Sequence, residues 1–264
     1  EMKNYGFIAP EFNPEDFWLG SKKLGSQEIN PSGDWRISLP RFEAQNKGQE
    51  TSACVTFTIL SNLETLEKFQ YGTEPNYSDR WIAKRSGTNP ASGNNPKKVC
   101  ETIKEYGLVD EEDYPFVADV NEYYQEIPDE LFVKLCQKGR KWLDTYNFGY
   151  EWADINQLDM AIKRSPVSVA VYAWSQNEQE EFFRLAASNH YTLNFVKDLN
   201  GKLLVFDSYE NPIIKTLAKE HNVEFAQMYT LKKKLNEVEE YKKGGSNWFT
   251  QMWHKLLELF YYLF

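Results

Sequence analysis

The sequence predicts an α+β fold in which helices come first and an antiparallel sheet follows, and three observations predict it. Between residues 54 and 106 apolar side chains recur at helical spacing: Val55, Phe57, Ile59, Leu60, Leu63, Leu66 and Phe69, then Val99, Cys100, Ile103 and Tyr106. After Pro166 the period shortens to two, with Val167, Val169, Val171 and Ala173 alternating against Ser168, Ala170 and Tyr172. The DLNG stretch at 198–201, lying between two further runs of this kind, is a hairpin signal. Helices segregated from strands in this way predict two lobes, one helical and one an antiparallel strand barrel.

Taken in order, residues 1–33 are rich in Gly, Pro, Asn and Ser with isolated aromatics, which suits an extended N-terminal arm laid over a surface. The fold is entered at Trp35, and a domain is expected over 34–231. The stretch QNKGQETSACVTFTILSNLETL, residues 45–66, is a polar loop that delivers Cys54 to the first turn of a helix running to about Tyr71, which Thr51 or Ser52 can cap. Apolar residues on more than one face place this helix inside a core. Residues 72–98 are broken by Gly, Pro and Asn. A helix follows over 96–107, ended by Gly107, with Cys100 facing the core. A second helical region spans 119–148, where Leu131, Phe132, Leu135, Cys136 and Trp142 point Cys136 inward as well. Residues 154–164 form a short amphipathic helix through Ile155, Leu158 and Ile162. Strands are expected over 166–174, 190–197, 202–207 and 225–231. Residues 232–245 form a charged linker, and 246–264, SNWFTQMWHKLLELFYYLF, a capped apolar helix.

Composition limits the function classes. The chain of 264 residues carries a formal charge of -9 with no basic stripe, which argues against a nucleic-acid surface. With 8 Trp, 16 Tyr and 17 Phe there is apolar area for a core and a surplus that can face partners. Three cysteines, Cys54, Cys100 and Cys136, are too scattered for a disulfide framework or a Cys/His metal site, so a cytoplasmic or other reducing compartment and no metal are expected. The segment EMKNYGFIAPEF has no charged region followed by an apolar run, so no signal peptide is expected.

Cys54 is the candidate nucleophile. A thiol at a helix N-terminus sits near the positive end of the macrodipole, which favours thiolate; the alternative is a small hydrophobe packed in a core. Of the three histidines, His190 opens a strand, whereas His221 lies in the polar KEHN turn and His254 in the tail, and both of these suit solvated or structural roles.

Several segments resemble the papain-like cysteine peptidases in the same order as in that family. RFEAQ, a loop and SACVTF resemble its Q-G-x-C-G-S-C-W-A-F segment, with Val55 at the tryptophan position, no upstream cysteine and a longer loop. EYGLVDEEDYPF resembles its GI-x-x-E-x-x-YPY stretch, and SPVSVAVYA its QPVSVAI-x-A strand. Asn189-His190 begins a strand as its NHAV does, and LLVFDSYENP is similar to its IKNSWG segment. The 136 positions from Cys54 to His190 fall within the roughly 130–150 of papain and cathepsin. The resemblance implies a papain-like two-lobed fold with the active site between the lobes. It implies Cys54 as nucleophile, His190 as base, and Asp207, where the family has asparagine, as the group orienting the imidazole. An aspartate there also favours imidazolium. Tyr209 stands where a tryptophan shields the orienter, and Ser92-Gly93-Asn94 resembles the loop along which substrate backbone lies. Gln45 is the expected oxyanion donor, with Gln49 the alternative. The implied reaction is peptide hydrolysis through an acyl-enzyme, on a peptide or protein substrate, with no cofactor.

The C-terminal helix leaves three readings open: docking on the domain, insertion into a protein partner or assembly, and interfacial membrane contact. Two function classes follow. One is an active peptidase of a disulfide-free viral or bacterial type; the other is a structural or assembly protein, for instance a virion-associated component, that keeps the fold as a scaffold and binds through its arms.

Overall fold

One helix and one strand organise the domain. Helix α1 (Cys54–Tyr71) is buried along most of its length, and three of its apolar side chains, Ile59, Leu63 and Val55, have no exposure at all. Two polar side chains fix its height over the sheet: Thr58 Oγ1 donates to Tyr191 O at 2.8 Å and Asn62 Nδ2 to Ser168 Oγ at 2.9 Å. The helix ends at Gly72, whose φ of 69° closes a bond from its amide to Lys68 O. The structure, a computed structural model, describes residues 4–19 and 27–234. The C-terminal helix expected over 246–264 and nearly all of the charged linker lie outside the described residues.

The remaining helices are α2 (Asp79–Arg85), α3 (Pro96–Tyr106), the single turn α4 (Val120–Tyr123), α5 (Asp129–Thr145) and the short α6 (Leu158–Ala161). Asn95 caps α3 by accepting from Lys98 N, and Pro96 occupies its first turn. Strand β1 (Tyr146–Ala153) corrects one expectation: the helical region does not reach residue 148. Tyr146, Phe148, Tyr150 and Trp152 recur every second residue, and this period-two aromatic run outweighs the helical spacing that precedes it. The helix expected over 154–164 is shorter too, a 3-10 turn at Ile155–Gln157 running into α6.

The strands that follow are β2 (Val167–Val171), β3 (Ser175–Gln176), β4 (Phe182–Phe183), β5 (His190–Lys197), β6 (Leu203–Phe206), β7 (Ile214–Thr216) and β8 (Glu224–Lys233). Among the described residues they form a six-stranded sheet, order β1-β8-β2-β5-β6-β7, and a two-stranded one, β3-β4. The pairings of β2 with β5 and β8, β5 with β6, and β6 with β7 are antiparallel. Helices precede an antiparallel sheet, the α+β order expected. Strand β5 is central and buried from His190 to Val196, and α1 packs across it. Its first residue pairs with Val171, and β6 ends one residue before Asp207, so register delivers both side chains to one end of the sheet.

Among the described residues no helix is long and apolar enough to cross a membrane. The three cysteines are free; Cys54 and Cys100 are buried, but Cys136 is only half-buried on α5, which corrects its expected place in the core.

Candidate active site

The loop before α1 is held by its own side chains. Thr51 Oγ1 donates to Gln45 O at 2.8 Å and Ser52 Oγ to Pro90 O at 2.8 Å, so neither hydroxyl caps the helix; Ala53 stands at the N-cap without a side-chain bond. Cys54 opens the helix with no exposure. Burial pushes its thiol well up, the Tyr191 amide opposes this, and the negative charges of Glu50 and Asp207 add to it. Desolvation therefore works against the thiolate that the helix N-terminus favours.

His190 and Asp207 are in direct contact: His190 Nε2 lies 2.6 Å from Asp207 Oδ1, and both side chains are fully buried. The other ring nitrogen, Nδ1, is buried with no hydrogen-bond partner. Among the described residues no hydrogen bond joins it to Cys54, whose thiol lies instead against the amide of Tyr191, the residue after His190. Tyr209, Trp174 and Tyr5 stand edge-on around the imidazole, their ring centroids at 5.3, 5.6 and 5.8 Å. The Asp207 carboxylate also meets a cation: Lys215 Nζ lies 2.8 Å from Oδ2. Burial alone would raise this carboxyl, but the His190 ring and the Lys215 ammonium hold it below its ordinary value.

Gln45 is fully buried beside these groups. Its Oε1 accepts from Ser208 Oγ at 2.7 Å, and its Nε2 reaches Tyr209 Oη at 2.7 Å, Glu50 Oε1 at 2.8 Å and the carbonyl of Tyr5 at 3.2 Å. Gln49 is turned elsewhere, its Oε1 accepting from Val120 N. Glu50 ties the corner together by accepting from Tyr209 Oη at 2.6 Å and from Ser52 N at 2.9 Å. Among the described residues no group of three or more His, Cys, Asp or Glu is placed to hold a metal ion. His221 is structural: buried, it accepts from Tyr172 N, and its Nδ1 contacts Phe182 O.

The chain's own residues 4–8 lie against these groups. Tyr5 N donates to Asn189 O at 3.0 Å, and its carbonyl is the one that Gln45 contacts. Asn94 N donates to Gly6 O at 3.0 Å, Ile8 N to Asn94 O at 2.9 Å and Asn4 Nδ2 to Ser92 O at 3.1 Å, so the Ser92-Gly93-Asn94 loop lies along a backbone. Phe7 stacks on Tyr191 at 5.5 Å with 8° between the planes and meets Phe225 at 5.7 Å. Gly6 requires its missing side chain, because at its φ of 109° a Cβ would fall 2.1 Å from Ser52 O.

Of the four residues singled out from the sequence, the structure joins His190 to Asp207 directly, sets Cys54 against the amide of Tyr191, and ties Gln45 to Ser208 and Tyr209. Sequence reasoning missed Glu50, Lys215, Tyr5 and Trp174. Lys215 sits between Ile214 and Thr216 and had no signal beyond strand alternation, which would equally have turned it to solvent. Tyr5 belongs to an arm whose destination no periodicity encodes.

No protein-family model matches the chain, and no curated protein sequence matches it. Solved structures do. Xylellain, a cysteine protease from Xylella fastidiosa, is similar at a TM-score of 0.63 and 14% identity, over 87% of this chain and 97% of that one. Digestive procathepsin L 3 from Tenebrio molitor larval midgut is similar at 0.56 and 16% identity, over 81% and 73%. A recombinant stem bromelain precursor is similar at 0.55 and 16% identity, over 77% and 70%. Identities this low establish the fold, and the chain has the fold of the papain-like cysteine proteases.

Proposed function

We propose that this chain is a cysteine peptidase that hydrolyses peptide bonds by a Cys54–His190–Asp207 triad. The observation that carries the reading is the arrangement at His190: one ring nitrogen is fixed by Asp207 and the other is buried and unpartnered, at the strand end where Cys54 lies. A histidine held by one nitrogen has its tautomer set and its other nitrogen available to exchange a proton with a nucleophile. In this mechanism Cys54 Sγ attacks the carbonyl carbon, Gln45 Nε2 donates to the developing oxyanion, and His190 gives its proton to the leaving amine. Water then releases the acyl group. The contact of Gln45 Nε2 with a peptide carbonyl, Tyr5 O, supports that role. The arm must leave the cleft before a substrate enters.

The test is hydrolysis of a fluorogenic peptide library by the full chain, by Cys54→Ala and by His190→Ala. Turnover lost in both variants supports the peptidase; turnover that survives Cys54→Ala removes it. The second reading, a scaffold for assembly, is favoured by the arm lying against these groups and the fully buried thiol. It predicts no turnover in any variant, including those whose arm is displaced.

A further inference from the structure

We propose that Lys215 is a positioning residue for the triad, whose buried ammonium makes the Asp207 carboxylate act on His190 as part of a net-neutral pair. This rests on the peptidase reading for its meaning, but its test does not depend on turnover.

Lys215 lies at the middle of β7 opposite Val205, and its side chain is 2% exposed. Nζ lies 2.8 Å from Asp207 Oδ2, donates to the carbonyls of Pro212 and Tyr209, and sits 5.1 Å from the Trp174 ring centroid and 5.7 Å from that of Phe182. An ammonium enclosed in this way is costly unless an anion faces it, and Asp207 is that anion. The two oxygens of Asp207 are divided: Oδ1 meets His190 and Oδ2 meets Lys215, so the lysine sets the rotation of the carboxylate and thereby the aim of Oδ1.

The electrostatic consequence follows from counting charges. A bare buried carboxylate against an imidazole favours imidazolium strongly and would hold the proton that the leaving amine needs. The adjacent ammonium cancels most of that field, leaving a directional acceptor with little net charge. Other titratable groups face the pair: Cys54 from α1; Glu50 through Tyr209 and Gln45 from the preceding loop; the Tyr5 hydroxyl from the arm; and Tyr172 with His221 behind Trp174. None of them is a cation in contact with Asp207, so Lys215 supplies the compensation.

The experiment is a four-member cycle in the full chain: the parent, Lys215→Met, Asp207→Asn, and the double variant Asp207→Asn/Lys215→Met. Each is measured for thermal stability and for the rate of Cys54 alkylation by iodoacetamide against pH. Lys215→Met should move the upper limb of the alkylation profile to higher pH by about one unit, because imidazolium is then held by an uncompensated carboxylate. Asp207→Asn, which strands the ammonium, should be less stable than the double variant, in which a neutral amide needs no counter-charge. The double variant should return the pH profile to that of the parent. A Lys215→Met profile at the parent pH, or losses that simply accumulate in the double variant, would overturn the proposal. Should Lys215→Met fail to fold, the double variant decides, and its failure to fold also contradicts the compensation. Parent protein that hydrolyses no peptide removes the peptidase reading while leaving this cycle fully readable.

Discussion

Substituting Gly6 by alanine should open the cleft. The arm is held by hydrogen bonds from Tyr5 N to Asn189 O, Asn94 N to Gly6 O, Ile8 N to Asn94 O and Gln45 Nε2 to Tyr5 O, and by the burial of Phe7. At about 1 kcal/mol net for each bond and about 2 kcal/mol for the ring, these offset the ordering entropy of five residues at roughly 1 kcal/mol each. The closed arm is then favoured by only ~1 kcal/mol, and about one molecule in six has it open. An alanine at Gly6 would bring its Cβ to 2.1 Å from Ser52 O and 2.4 Å from Ser52 C, both backbone atoms, at a φ of 109°. Strain of this kind costs about 1–3 kcal/mol, enough to reverse the balance. The rate of Cys54 modification by iodoacetamide, followed by peptide mass spectrometry, should therefore rise up to about sixfold as the open fraction approaches one. Cys100, buried elsewhere in the core, serves as the internal reference. A folded Gly6→Ala protein whose Cys54 is modified no faster than in the parent would refute the reasoning.

Three further outcomes are expected. Because burial pushes the Cys54 thiol up, displacing the arm should also move the onset of alkylation to lower pH; an onset that stays in place would mean that the arm does not cause the burial. Asp207 has a folded-state value below its ordinary one, so its contribution to stability is present above the unfolded value of about 4 and is lost as pH falls through the folded value. Thermal denaturation of Asp207→Asn should accordingly show less acid-dependent loss in that window than the parent. Glu111 behaves oppositely: burial raises its carboxyl to about 7, against a bond from Phe116 N, so stability falls as pH rises from about 4.3 toward 7. Glu111→Gln keeps an acceptor for that amide and should stabilise the protein at pH 8 by about 1 kcal/mol, discounted for the group's partial exposure; equal pH dependence in variant and parent would refute this.

Much of the fold was legible because period and punctuation agree in it. Helix α1 begins at Cys54 and stops at Tyr71 where the sequence places it, since its apolar positions and Gly72 both speak locally. The hairpin between β5 and β6 was equally plain from DLNG. Strand β1 was not, because Tyr146 lies four residues after Trp142 and so continues the helical spacing that precedes it, while the period-two run through Phe148, Tyr150 and Trp152 only becomes visible beyond it. At the candidate site, the neighbours His190 and Asp207 are joined by strand register, which the sequence does encode. The cation beneath them is not encoded in this way: Lys215 depends on how the chain between Asp207 and Ile214 turns back on itself, and a lysine in an edge strand looks the same whether it faces water or a carboxylate. The burial of the thiol was not legible for a related reason. The helix N-terminus is a local feature of the sequence, whereas the burial that raises the thiol is set by tertiary packing around it.

The central claim, that Cys54 is a nucleophile activated by His190, is tested most directly by intact-mass measurement after exposure to an epoxide thiol probe. The arm-displaced Gly6→Ala protein should gain one probe per chain, at Cys54, and the same protein carrying His190→Ala should gain it at least about tenfold more slowly. Labelling of Cys54 at equal rates with and without His190, or labelling that falls on Cys136 instead, would contradict it.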